Sequence, residues 1–303
     1  MSNSIDNLDE VINKITQQVA ARLKNMNFQT EESDKNTCDA TDITCTYCGG
    51  CSHLKTESYN KIINMGVTRL SSAPNSTINK KEKSLSKMID HTLLKPDTTT
   101  EELMKVCHEA REYNFATVCV NSSNIPLVAR QLRGTDVKAI AVVGFPLGSM
   151  TTQSKVFETK EAVRNGAGEI DMVINIGALK SKDYSTVQND IEQVVKAASP
   201  HKVKVILETT KLTQEEKIIS CALSKAAGAA FVKTSTGFGG GGASVEDVAL
   251  MRKIVGHDME VKASGGVRTQ EDAKAMINAG ADRIGASASI SIVTGKKAKA
   301  GNY

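Results

Sequence analysis

The sequence predicts an α/β chain in which residues 85–303 close into a (β/α)8 TIM-type barrel behind an N-terminal helical and Cys-rich extension. Three observations predict it. From residue 85 onward, eight short apolar runs of strand character alternate with helical stretches. Such alternation calls for a parallel sheet with right-handed crossovers, and eight repeats favour closure. Three late helices end in near-identical punctuation, "NGAGEID", "KAAGAAFV" and "NAGADRIG", where Gly supplies the left-handed cap before the next strand. The composition, 4% aromatic with no Trp and many Ala, Val, Ile and Gly, suits the small branched filling of a parallel barrel. An open, doubly wound sheet is the alternative reading of the same alternation.

Taken in order, residues 1–24 place Ile5, Leu8, Ile12, Ile15, Val19 and Leu23 at steps of three and four, with Asp9, Lys14, Gln17 and Gln18 between them. That spacing makes an amphipathic helix, and packing on the barrel is its plainest role. Residues 25–84 are a Cys-rich segment and linker. Cys38, Cys45, Cys48 and Cys51 crowd around the run "CTYCGGC", with His53 beside it. A two-residue gap lets neighbouring thiolates face one centre, so zinc or an iron–sulfur cluster is the candidate occupant, and redox-active free thiols are the other reading. The stretch 66–83, with Ser71, Ser72, Pro74, Asn75 and a Lys-rich end, reads as a flexible linker, and composition changes near residue 85. Strands are then expected at 87–91, 117–121, 138–144, 169–175, 202–208, 230–234, 260–264 and 283–286. Helices are expected at 100–113, 152–165, 185–198, 214–227, 245–254 and 269–279.

Bulk properties exclude several classes. The formal charge of +4 in 303 residues is spread over both signs without a basic block or aromatic interleaving, which argues against nucleic acid and is compatible with a phosphorylated small molecule. No run has the apolar length of a membrane span, and the N-terminus lacks the basic start and greasy centre of a signal peptide, so a cytoplasmic protein is expected. Seven Cys is an odd count, with Cys107, Cys119 and Cys221 lying singly in apolar segments, so no disulfide framework is expected.

The chemistry is signalled by lysines inside apolar strands: Lys204 in "VKVILET", Lys233 in "AAFVKTSTGF" and Lys262 in "EVKASGGVR". Alternate strand residues point to the barrel axis, and an ammonium buried there costs several kcal/mol, roughly, unless it is paired or gives up its proton. The plain reading is that each lysine snorkels outward or pairs with a carboxylate such as Glu208 or Asp171. On successive strands the functional reading is stronger: a neighbouring cation and a dry pocket each disfavour protonation, leaving one free amine to attack a carbonyl. Asp171 in "GEIDMVINIG" and Asp90 in "MIDHTLLKP" are the candidate proton-transfer carboxylates, each also readable as a salt-bridge partner. Glycines cluster after the last three strands, at 237–242, at Gly265 and Gly266, and at Gly285 with Ser287 and Ser289. Loop flexibility explains glycines in general, but loops after strands seven and eight of a barrel commonly hold phosphate through backbone N–H groups.

Residues 84–303 resemble the deoxyribose-phosphate aldolase family. The motifs "IDHTLLKPD", "VCVN", "VVGFPLG", "KVFETKEA", "GAGEIDMVINIG", "VKVILET", "FVKTSTGF" and "VKASGGVRT" stand in the family's order and spacing. The resemblance implies Lys233 as Schiff-base lysine, Lys262 as the second lysine that lowers its pKa and joins the proton relay, and Asp171 as relay carboxylate. It places Lys204, Asp90, Cys119 and Thr234 at the substrate and Gly265, Gly266 and Ser287 at its phosphate. It further implies reversible cleavage of 2-deoxy-D-ribose 5-phosphate into D-glyceraldehyde 3-phosphate and acetaldehyde, no metal or organic cofactor for catalysis, and a homo-oligomer, a dimer. The family often ends in a tail whose terminal Tyr assists proton transfer, and this chain ends in a short tail with Tyr303. Phe238 follows "KTSTG" where some members carry Lys. The N-terminal helix looks like the short segments that direct enzymes into bacterial microcompartments, which implies shell or cargo proteins as partners. Rival expectations are another phosphosugar aldolase, transaldolase or isomerase on the same barrel, and a non-catalytic microcompartment scaffold.

Overall fold

The computed structural model describes residues 84–295. The helix expected at 1–24, the cluster of Cys38, Cys45, Cys48 and Cys51, the linker at 66–83 and Tyr303 lie outside the described residues. Eight strands follow one another: β1 (Ile89–Leu93), β2 (Thr117–Asn121), β3 (Lys138–Val143), β4 (Glu169–Val173), β5 (Lys202–Ile206), β6 (Phe231–Lys233), β7 (Glu260–Ser264) and β8 (Arg283–Ala286). Each pairs in parallel with its neighbour in sequence, and β8 returns to pair with β1. The sheet is therefore a closed barrel, and the doubly wound alternative falls.

Nine α-helices occur among the described residues: α1 (Thr100–Glu112), α2 (Ile125–Gln131), α3 (Thr152–Arg164), α4 (Ile176–Lys180), α5 (Tyr184–Ala198), α6 (Gln214–Ala226), α7 (Val245–Val255), α8 (Gln270–Asn278) and α9 (Ser289–Thr294). The six expected from periodicity are all present, with ends shifted by a residue or so. α1, α6 and α8 start with capping boxes on Thr99, Thr213 and Thr269, which satisfy the first free N–H groups. Gly228 and Gly280, with φ of +77° and +112°, end α6 and α8 as the repeated punctuation predicts.

Some expected boundaries move. β1 begins two residues later than expected because Leu85–Met88 form a 3-10 turn. β4 stops at Val173 because the Asn175 side chain caps α4, and β5 stops at Ile206 because Glu208 is left-handed, with φ +58°. The three helices absent from the sequence reading, α2, α4 and α9, have 7, 5 and 6 residues, too short for a hydrophobic period to declare itself.

The main hydrophobic core lies between the strands and the helices, with Val118, Val120, Ala141, Ile170, Met172, Val205, Val232, Val261 and Ile284 facing outward into it. Inside the barrel the apolar filling is small: Leu94, Cys119, Ile140 and Val142, with Phe145 packed against them. The rest of the interior is mostly charged, with the Phe231 ring set among the cations. One further charge pair is buried outside the barrel, where Lys155 of α3 donates to Asp190 of α5 at 2.5 Å and to the Val173 carbonyl at 2.9 Å.

Candidate active site

Period-two alternation carries the polar residues inward. Asp171 stands level with Lys204 across β4 and β5, and Lys233 stands level with Lys262 across β6 and β7. Lys233 is the last residue of its strand, at the C-terminal mouth where the β-to-α loops gather. Asp90 joins from β1. All five side chains are within 3% of complete burial, so the outward-snorkelling reading of the lysines does not hold.

Asp171 is the hub. Its Oδ2 accepts from Lys233 Nζ at 2.9 Å and from Lys262 Nζ at 2.8 Å, while its Oδ1 accepts from Lys204 Nζ at 2.9 Å. Lys262 also reaches Asp90 Oδ2 at 2.6 Å. Asp90 Oδ1 accepts from the Thr117 hydroxyl at 2.6 Å and from Arg283 at 2.7 Å. Lys204 reaches Glu169 at 2.5 Å.

This arrangement sorts the protons. Burial pushes the Lys233 ammonium down, and the adjacent Lys262 pushes the same way, together outweighing Asp171. Burial also opposes charge on Lys262 and Lys204, but Asp171 with Asp90 for the first, and Asp171 with Glu169 for the second, hold both above the ordinary lysine value. Burial works against the carboxylates too, yet the surrounding cations hold Asp171 and Asp90 below their usual range. The Cys119 thiol is pushed up by burial, so it is a neutral wall of the cavity. Of three lysines around one carboxylate, Lys233 alone is biased toward the free amine.

The other expected residues are distributed around this centre. Thr234 ties β6 to β7, its hydroxyl donating to the Ser264 carbonyl at 2.8 Å and accepting from the Ser264 N–H at 3.0 Å. Gly265 and Gly266 both have positive φ after β7, and a side chain at Gly242 would meet the Gly265 carbonyl at 2.3 Å, so the loops after β6 and β7 touch through bare backbone. Ser287 is exposed just before α9. Phe238 is 53% exposed and packs edge-on against Phe145, ring centroids 5.3 Å apart. Glu208 is not a lysine partner as the plain reading allowed; its carboxylate accepts from the Thr236 N–H at 3.2 Å and from the Thr236 hydroxyl.

Sequence reasoning missed three contributors. Glu169 lies two residues before Asp171 and Arg283 opens the eighth strand, so the same alternation that exposed the lysines places both inside. Gly285, grouped by sequence with the loop glycines, is in β8, and a Cβ there would lie 2.9 Å from Lys262 Cε. Its lack of a side chain makes room for that lysine.

A closed barrel whose interior gathers three buried amines on one carboxylate, with Lys233 at the C-terminal end of β6, fits an enzyme of the aldolase class, a carbon–carbon lyase. The family model for DeoC/LacD family aldolases matches residues 85–299, and the chain belongs to that family. It is 62% identical over 220 residues to a deoxyribose-phosphate aldolase of Clostridium novyi (strain NT), covering 72% of this chain and 99% of the relative. It is 58% identical over 223 residues to the deoxyribose-phosphate aldolase of Halalkalibacterium halodurans, covering 73% and 99%. Among solved structures, the tetrameric deoxyribose phosphate aldolase of Aeropyrum pernix is similar with a TM-score of 0.66 and 32% identity, over 69% of this chain and 89% of that one. Among the described residues no helix is long and apolar enough to cross a membrane.

Proposed function

We propose that this chain is a deoxyribose-phosphate aldolase that cleaves 2-deoxy-D-ribose 5-phosphate reversibly into D-glyceraldehyde 3-phosphate and acetaldehyde through a Schiff base on Lys233. The observation that carries this is the convergence of three buried amines on Asp171, with Lys233 the one biased to be unprotonated. The Lys233 nitrogen adds to the substrate's C1 carbonyl, and loss of water with a proton drawn from the Asp171–Lys262 pair leaves an iminium. Deprotonation of the C3 hydroxyl then breaks the C2–C3 bond, the electron pair moving into the iminium to give an enamine and releasing the phosphorylated aldehyde. Reprotonation at C2 and hydrolysis return acetaldehyde and the amine. Lys204 donates to substrate hydroxyls, Asp90, Cys119 and Thr234 line or support the substrate, and Gly265, Gly266 and Ser287 hold the phosphate.

Acetaldehyde with borohydride provides the test. Reductive trapping should add two carbons to the peptide bearing Lys233 and to no other. An unmodified Lys233 in active protein removes this mechanism.

Around this core we place a cytoplasmic homo-oligomer, with the aldolase domain at 85–303, a helix at 1–24 that docks in a microcompartment, and a 25–84 segment whose Cys38, Cys45, Cys48 and Cys51 bind zinc or an iron–sulfur cluster. Metal analysis of the full chain that finds neither Zn nor Fe removes the metal part. Diffuse fluorescence of a fusion carrying residues 1–24, in a microcompartment-forming host, removes the targeting part.

A further inference from the structure

The charges inside the barrel form a closed, alternating ring. From Asp171 Oδ2 to Lys262 is 2.8 Å, from Lys262 to Asp90 2.6 Å, and from Asp90 to Arg283 2.7 Å. From Arg283 to Glu169 is 3.5 Å, from Glu169 to Lys204 2.5 Å, and from Lys204 back to Asp171 Oδ1 2.9 Å. Three carboxylates alternate with three cations, so the ring is neutral without Lys233, which hangs from it at Asp171. Each carboxylate is bracketed by two cations and each cation by two carboxylates. The aromatic face of Phe231 lies against two of the cations, 5.3 Å from Lys204 and 5.6 Å from Arg283.

We infer that Glu169 and Arg283, which do not contact Lys233, are positioning residues that complete this ring and thereby set the protonation of the reactive amine. With the ring neutral, a seventh charge on Lys233 has no counter-charge of its own, only a share of Asp171. Removing one cation would leave a net negative ring that attracts a proton to Lys233, and removing one carboxylate would do the reverse. The groups acting directly on Lys233 are Asp171 from β4, Lys262 from β7 and the thiol of Cys119 from β2; Lys204 of β5 and Asp90 of β1 stand one contact further off, on Asp171 and Lys262, and apolar Ile140 and Val142 of β3 pack with Cys119. Arg283 supplies the charge from β8, and Lys138, near Glu169 at 3.9 Å, is largely in solvent.

The inference rests on Lys233 being the amine, and the experiment separates the two. The pH at which trapping of acetaldehyde on Lys233 reaches half its plateau rate is measured in the full chain, with cyanoborohydride as reductant and the adduct located by mass. Arg283→Met should move that midpoint up by about one pH unit or more, and Glu169→Gln should move it down. The double variant, neutral again, should return toward the parent, and Arg283→Lys should stay with it. A midpoint depends on the protein that folds and not on how much of it does, so a reduced yield leaves the result readable. Rates that fall equally at every pH with no movement of the midpoint, or movement of both single variants in one direction, overturn the ring. Absence of any Lys233 adduct in the parent protein overturns the catalytic reading instead.

Discussion

Lys233 sits where a folded chain gains least from an amine: it is buried, beside another cation, and shares one carboxylate oxygen with it. Its pKa in the fold is lowered from the ordinary 10.5, so the unfolded chain binds that proton more tightly than the folded one. Stability therefore rises with pH on account of this group, and removing the group relieves a penalty that is largest below its folded pKa and vanishes above 10.5. Lys233→Met should abolish cleavage and, at neutral pH, raise unfolding free energy by about 1–3 kcal/mol in a urea titration. A lower denaturation midpoint would contradict that. Gly285 acts on the neighbouring lysine by leaving space. Gly285→Ala places a methyl 2.9 Å from Lys262 Cε and, under the proposed mechanism, should lower kcat about 10- to 100-fold with the circular dichroism spectrum unchanged, since a displaced lysine loses its geometry before the barrel loses its fold. Unaltered kcat would show that Lys262 bends aside freely. At this scale the candidate site was legible where a residue type was out of place, as with three lysines in apolar strands that the fold buries around Asp171. It was illegible where function lies in an absent side chain, because a glycine in "RIGAS" looks the same whether it loosens a loop or clears a path.

At the scale of elements, the pair of Lys155 and Asp190 fixes α3 against α5 with both side chains almost fully buried. Burial pushes the Lys155 ammonium down, with Asp190 opposing, and the Val173 carbonyl gives the ammonium a second acceptor. Lys155→Met leaves Asp190 as an uncompensated buried charge and should cost about 3–5 kcal/mol. Lys155→Met combined with Asp190→Leu should recover most of that loss in the same denaturation assay, and a double variant as unstable as the single would show that packing volume, not charge, is at stake. The sequence placed Lys155 only within a helix, since its partner lies 35 positions away on another helix and nothing local marks the pair. The long helices were legible because capping threonines and apolar periods agree with the fold. The short helices α2, α4 and α9 were not, because a single turn of "SISIVT" has the composition of a strand.

For the whole molecule, eight repeats and their Gly punctuation made the barrel legible, whereas closure of its charged interior depends on strand register, which composition does not carry. Asp90 and Asp171 have folded pKa values below their unfolded ones, so their contribution to stability is complete above about pH 4 and is lost as pH falls through the folded values. The denaturant midpoint should hold level from neutral pH to about pH 4 and then drop steeply, and Asp90→Asn should make that drop shallower. An equally steep drop in the variant would place acid sensitivity elsewhere.

Where the eighth strand meets the first, Arg283 grips Asp90 on the inner side, while on the outer side His91 joins Glu109 of α1 at 2.8 Å and Ser289 of α9 at 2.9 Å. That join is stitched on both surfaces, so it has no soft flank at which fraying can start. Backbone amides shared by β1 and β8 should therefore exchange with deuterium only when the entire chain opens, as slowly as those in the middle of the sheet, instead of leaking early as a weld between the two ends of a sheet otherwise would.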